Sequence, residues 1–167
     1  FGFVEIGTVT PLPQEGNMKP RLFRLCKEHA IINCMGFNNL GASVMSENLK
    51  KVKNRIELSK SIVKPINSSY GIIGINIGKN KLTPFEKASE DYVTTFEKLY
   101  PHADYFTINL SSPNTDKLVN LQKGIALETI LEKVCNCRDR LDRENNLKTP
   151  LLLKISPDLK NYELNEI

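Results

Sequence analysis

The stretch GIIGINI at Gly71–Ile77 decides how the rest of this chain is read. It is short, apolar and β-branched, without the length of a helix, as expected of a strand buried on both faces. Comparable runs recur on either side of it. Asp104–Ile108 (DYFTI) is one, and Leu151–Ile155 (LLLKI) is another, entered through Pro150 and ended by Pro157. Phe1–Ile6 (FGFVEI) reads as a further strand. Helical patterns lie between them. Ala42–Ser59 carries Val44, Leu49, Val52, Ile56 and Leu58 at roughly helical spacing, behind stop signals at Asn38, Asn39 and Gly41. Thr83-Pro84-Phe85-Glu86 predicts a helix start, with Thr83 as N-cap and Glu86 completing a capping box. That helix runs to about Tyr100 and stops at Pro101, and a third spans about Ile125 to Asn145. Lys64–Tyr70 reads as loop.

The resulting order, β-α-β-α-β-α-β with apolar strands, predicts a parallel sheet covered by helices. An α/β barrel and a doubly wound sheet both satisfy it. No G-x-G-x-x-G follows a strand, which favours the barrel.

The 167 residues, 40% hydrophobic and 25% charged, suit one globular domain. Net charge is +4 and the isoelectric point about 8.8. The densest basic group, Lys50, Lys51, Lys53 and Arg55, has no interleaved aromatics and reads as a solvated helix face, so no nucleic acid is expected. No apolar run reaches the roughly eighteen residues of a membrane span, and no targeting segment is visible. Cys26, Cys34, Cys135 and Cys137 form no C-x-x-C pair and are expected as free thiols. His29 and His102 are far apart in sequence, so no metal site is expected. Asn67-Ser68-Ser69 matches a glycosylation sequon, a pattern short enough to recur by chance.

Polar residues gather at the strand ends. Thr8 and Thr10 close the first strand, Asn76 sits near the end of the second, Asn109 closes the third, and Lys154 sits near the end of the fourth. In a parallel barrel these ends share the face where catalytic residues collect. A lysine in an apolar run needs an anionic or strongly accepting partner if buried. Amides donate and accept together, which suits an imide-edged ligand. A cation suits a ring that gains negative charge on reduction, hence a flavin, and equally a phosphate. The third strand leads into INLSSPNT at Ile108–Thr115, which is either turn chemistry or a loop that holds a ligand. Ser112 has no histidine nearby in sequence, so a hydrolase triad is unsupported.

Five stretches, in order, resemble the dihydroorotate dehydrogenase family, specifically its quinone-dependent, membrane-associated class. They are Phe1–Arg24 (FGFVEIGTVTPLPQEGNMKPRLFR), Ile32–Gly41 (INCMGFNNLG), Gly74–Lys81 (GINIGKNK), Ile108–Thr115 (INLSSPNT) and Leu152–Leu159 (LLKISPDL). The resemblance implies an FMN-containing (β/α)8 TIM-type barrel, of which residues 1–167 cover about half. It implies oxidation of dihydroorotate to orotate in pyrimidine synthesis, with electrons passed to ubiquinone. By motif, Thr8, Asn76, Asn109 and Lys154 are expected to contact FMN. Asn33, Cys34, Met35, Gly36, Phe37, Asn109 and Asn114 are expected to line the substrate, and Ser112 to be the catalytic base. The soluble class places cysteine where Ser112 stands.

The N-terminal quinone-tunnel helices that would bind the membrane surface, and the C-terminal phosphate-binding strands, are expected outside residues 1–167. Such a piece alone leaves sheet edges unpaired and is expected to be poorly soluble or partly unfolded. The long Glu57–Tyr70 segment resembles eukaryotic members, which implies the mitochondrial inner membrane, with the bacterial cytoplasmic membrane as alternative. One departure stands out. The family follows SSPNT with a residue and then Gly-Leu-Arg, whereas this chain has Asp116-Lys117-Leu118-Val119, losing a turn glycine and a bidentate donor. A non-catalytic barrel fragment, or a soluble FMN-dependent dihydropyrimidine or dihydroorotate dehydrogenase, are the alternatives.

Overall fold

The computed structural model describes residues 2–62, 71–114, 118–165 and 167, with side chains described except at 55–62, 119 and 120. Strands β1 (Phe3–Val9), β4 (Ile72–Ile77), β5 (Tyr105–Asn109) and β6 (Leu151–Lys154) form one sheet in that order. All its pairings are parallel, with Ile6 opposite Ile75, Ile75 opposite Phe106 and Phe106 opposite Leu151. Each new strand adds on the same side of the last, as in a barrel; a doubly wound sheet would reverse its order.

Helices α1 (Gly41–Ile62), α2 (Ala88–Leu99) and α3 (Gly124–Asn145) follow β1, β4 and β5 along the chain, and α4 (Asn161–Leu164) is a single turn after β6. The core lies between sheet and helices. Ile75, Ile77, Phe106 and Ile108 meet Tyr92, Phe96, Leu99, Ile130 and Val134, all essentially closed to solvent. The Phe96 and Phe106 rings lie 4.3 Å apart at 42°, a tilted aromatic pair of the favoured kind.

Several expectations are corrected. β1 does not stop at Ile6 but continues through Thr8 to Val9. An antiparallel hairpin, β2 (Leu22–Leu25) with β3 (Ala30–Asn33), occupies a region expected to lack strands. Both its strands are mostly exposed, so no buried face leaves an alternating signature. The capping box at Thr83 is absent. A 3-10 turn at Phe85–Lys87 comes first, and α2 begins only at Ala88, without a side-chain cap. Thr83 instead offers its carbonyl to Lys79 Nζ (2.7 Å), which fixes the loop before the helix. Pro101 lies inside a second 3-10 turn, Tyr100–His102, which continues from α2. On α1 the buried stripe is Ala42, Met45, Ser46 and Leu49, while Val44 and Val52 face solvent. The Ile56 and Leu58 side chains, the Asn67 sequon and the Asp116–Lys117 departure lie outside what is described.

Candidate active site

β1 brings Thr8 to the inner face of the sheet through an irregularity. Its register with β4 shifts between Ile6 and Val9. Gly7 there has φ 128°, and an added Cβ would fall 2.4 Å from the Asn76 carbonyl, so only glycine fits. Thr8 Oγ1 consequently donates to Asn76 Oδ1 at 2.7 Å. Asn109, at the end of β5, donates through Nδ2 to Thr8 Oγ1 (3.0 Å) and Asn76 Oδ1 (3.1 Å). Its Oδ1 accepts the Ser111 backbone N–H (3.1 Å) and hydroxyl (3.0 Å). Lys154, across the sheet on β6, donates from Nζ to Ser111 Oγ at 2.7 Å. Thr8, Asn76, Asn109 and Lys154 thus belong to one hydrogen-bonded cluster. Asn76 and Asn109 are about 95% buried, and their bonding satisfies what burial would otherwise make costly. Lys154 is exposed on this inner face, so it escapes the burial cost that its apolar surroundings in sequence suggested.

Thr10 does not join this cluster. It is buried in the loop after β1, donating to the Leu12 carbonyl (2.7 Å) and accepting from Asn39 (2.9 Å) and Asn80 (3.0 Å). It ties loops together.

The second group of expected residues meets at the rim. Asn33 ends β3, and Asn114 Nδ2 reaches its carbonyl at 3.4 Å. Asn33 Oδ1 accepts the Met35 N–H (3.3 Å), turning the chain into Cys34–Phe37. Phe37 packs against the core from a positive-φ position. Ser112 is half-buried, and its Oγ accepts the Asn114 N–H at 3.3 Å. The loop carrying Ser112 and the loop carrying Asn33 are therefore in direct contact.

Sequence reasoning missed four contributors. Ser111 links Asn109 to Lys154. Tyr92, on α2, donates to the Asn109 carbonyl at 3.0 Å and is itself fully buried, which raises its pKa. Asn17 reaches the Cys34 and Asn114 carbonyls through Nδ2, both at 3.0 Å, and so pins the two rim loops together. Glu5 accepts from Asn76, Thr107 and Tyr105 beneath the cluster. Glu5, Asn17 and Ser111 lie within matching stretches, whereas Tyr92 lies outside all of them and gave no signal. Among the described residues no group of three or more histidine, cysteine or acidic side chains could hold a metal, and no helix is long and apolar enough to cross a membrane.

The profile of the family described as dihydroorotate dehydrogenase matches residues 1–167. The dihydroorotate dehydrogenase (quinone) of Vibrio atlanticus (strain LGP32) is 49% identical over 100% of this chain and 45% of its own length. That of Dichelobacter nodosus (strain VCS1703A) is 48% identical over 100% of the chain and 46% of its own length. Among solved structures, DHODH of Eimeria tenella in complex with ferulenol superposes with a TM-score of 0.83 at 40% identity. The match covers 100% of this chain and 46% of that one. The ligand-free form gives 0.84 at 39% identity, over 99% and 47%. The chain spans about half the length of the curated relatives it matches, and its sheet is the corresponding run of β/α units of their barrel. With its whole length matched and its polar strand ends drawn into one cluster, the chain belongs to the dihydroorotate dehydrogenase family.

Proposed function

We propose that residues 1–167 form the flavin-facing and substrate-facing part of a quinone-dependent dihydroorotate dehydrogenase, which oxidises dihydroorotate to orotate in pyrimidine synthesis. The observation that carries this reading is the meeting of Thr8, Asn76, Asn109 and Lys154 in one cluster, beside a rim where Asn114 of the Ser112 loop touches Asn33.

The donor set fits FMN. Lys154 spends one of its three N–H donors on Ser111, and Asn76 Nδ2 spends one of two on Glu5, which leaves donors for a ring rich in acceptors. Thr8, Asn76 and Lys154 would hold the ring, and the lysine charge would favour its reduced form. Asn109 is saturated, with two bonds donated and two accepted, so its contact with the ring requires one of these to exchange. The bound flavin supplies the hydride acceptor and the route of electrons to the quinone. Asn33, Cys34, Met35, Gly36, Phe37 and Asn114, with Asn109, would orient dihydroorotate. Ser112 would remove the proton from C5 as hydride leaves C6, and its half-buried hydroxyl needs activation to act as a base near neutral pH.

The remaining barrel strands, with the phosphate site, and the quinone-binding helices at the membrane surface belong to segments beyond 1–167 in this reading. The bacterial origin of the curated relatives supports the cytoplasmic membrane and gives no support to the mitochondrial inner membrane. Residues 63–70 of the segment that suggested the latter lie outside the described residues.

The test is anaerobic addition of dihydroorotate to the purified complete protein, followed by flavin absorbance, with Ser112→Ala alongside. Rapid bleaching is expected in the parent, slowed by roughly 10²–10⁴ in the variant. Flavin that binds but never bleaches would establish the non-catalytic reading instead, with the Asp116–Val119 departure as its cause.

A further inference from the structure

Glu5 has no part in the chemistry above, yet it heads the hydrogen-bond chain that shapes the site. Its Oε1 accepts from Asn76 Nδ2 at 2.9 Å, and its Oε2 from Thr107 Oγ1 at 2.8 Å and Tyr105 OH at 3.2 Å. Tyr105 reaches it across Gly74, where an added Cβ would lie 2.0 Å from the tyrosine ring. A carboxylate only accepts, so Asn76 turns Nδ2 toward Glu5 and Oδ1 toward Thr8 and Asn109. Asn109 then points Nδ2 at Asn76 and Oδ1 at Ser111, and Ser111 Oγ meets the Lys154 ammonium. Lysine only donates. The chain runs from a fixed acceptor on β1 to a fixed donor on β6, and both amides between them have one orientation. Partial burial works against the Glu5 charge, but its three donors and the Lys154 cation hold the carboxyl below its ordinary value.

We propose that Glu5 is a positioning residue of the flavin site, fixing the amide polarity of Asn76 and setting a negative charge against the Lys154 cation. This rests on the flavin reading above. The two effects are separable. Polarity governs how well the ring is held, whereas charge governs how readily it is reduced, since a nearby carboxylate disfavours added negative charge. Glu5→Gln keeps the shape but removes the charge and one of the two groups that orient Asn76, whose polarity then rests on Asn109 alone. Glu5→Asp keeps the charge but shortens the reach to Asn76.

The experiment measures the FMN dissociation constant and the flavin midpoint potential of the complete protein, its Gln variant and its Asp variant. Glu5→Gln is expected to weaken FMN binding about tenfold. It should also move the midpoint about 30 mV positive, the equivalent of a tenfold shift in a two-electron equilibrium. Glu5→Asp is expected to weaken binding and leave the midpoint at the parent's value. A folded Gln variant with unchanged affinity and potential overturns the proposal. If that variant does not fold, the Asp variant decides alone, and parental FMN affinity in it overturns the proposal. A parent that binds no flavin would bring down the flavin reading itself, whereas a flavin-loaded parent with indifferent variants removes only the role of Glu5.

Discussion

On the side of the sheet that meets the helices, Ile75, Ile77, Phe106 and Ile108 are at most 1% exposed. On the other side of the same sheet stand Glu5, Asn76, Thr107, Asn109 and Lys154, joined to their neighbours by directed hydrogen bonds. Along β5 the two sets alternate residue by residue, since neighbouring side chains of a strand point to opposite faces. Burial on the helix side is non-directional and scales with area. The cluster on the other side depends on which atom faces which. One face therefore supplies stability and the other supplies a defined arrangement of donors and acceptors. A slip of one residue in β5 would exchange the two, placing Phe106 among the amides and Asn109 under α2.

The largest expected effect breaks the helix side. Phe96, fully buried against Phe106 and Tyr100, leaves a cavity when replaced by alanine. Phe96→Ala is expected to cost about 3–5 kcal/mol, seen as a lowered melting temperature of the complete protein. Ser112→Ala, on the functional side, should leave the melt within about 0.5 kcal/mol of the parent while slowing flavin reduction. A comparable loss of stability in both variants would erase the division between the faces.

That division explains what the sequence disclosed. The apolar runs at Gly71–Ile77, Asp104–Ile108 and Leu151–Ile155 mark strands because their helix-facing residues are apolar, Ile75 and Ile77 in the first, Phe106 and Ile108 in the second, Leu151 and Leu153 in the third. The polar interruptions Asn76, Asn109 and Lys154 stand out against them for the same reason. Glu5 and Thr107 fall within strands as well, but a single acid or threonine in FVEIGT or YFTIN reads equally as a solvent-facing position. What joins them is a meeting across strands, with Thr107 and Glu5 102 residues apart. The β2–β3 hairpin was illegible because it buries so little. The stripe on α1 was misplaced because its buried contacts include Ser46, which a hydrophobic pattern does not count.

A smaller effect is expected where the loops meet. Replacement of Asn17 by alanine removes the two hydrogen bonds it donates to the Cys34 and Asn114 carbonyls and the one it accepts from Lys81. The strands below stay intact, but the Asn33–Phe37 loop and the Ser112 loop lose their shared tie. Asn17→Ala is expected to lower kcat/KM about tenfold, equivalent to roughly 1.4 kcal/mol. Because the tie orients groups proposed to bind substrate, most of the loss should appear as a raised KM for dihydroorotate. An unchanged KM with a lowered kcat would show that the tie acts on the reacting atoms instead.

The smallest expected effect belongs to a polar pair on the helix side, where such residues are scarce. His102 Nε2 lies 3.0 Å from Ser46 Oγ, while its Nδ1 is buried without a partner among the described residues. Burial first, then Lys53 and Lys50 on α1, lower its pKa from 6.5; Lys53 is held close by its bond to the Pro101 carbonyl. The folded protein thus keeps His102 neutral where the unfolded chain has begun to take up a proton. Below about 6.5 the unfolded state binds more protons, so stability rises with pH through this window and is lost as pH falls. His102→Gln retains a group able to bond Ser46 but does not titrate. It is expected to cost about 1 kcal/mol at neutral pH and to flatten the decline in melting temperature as pH falls below about 6.5. An equally steep decline in the variant would assign the acid sensitivity to other groups and leave the Ser46–His102 pair as packing alone.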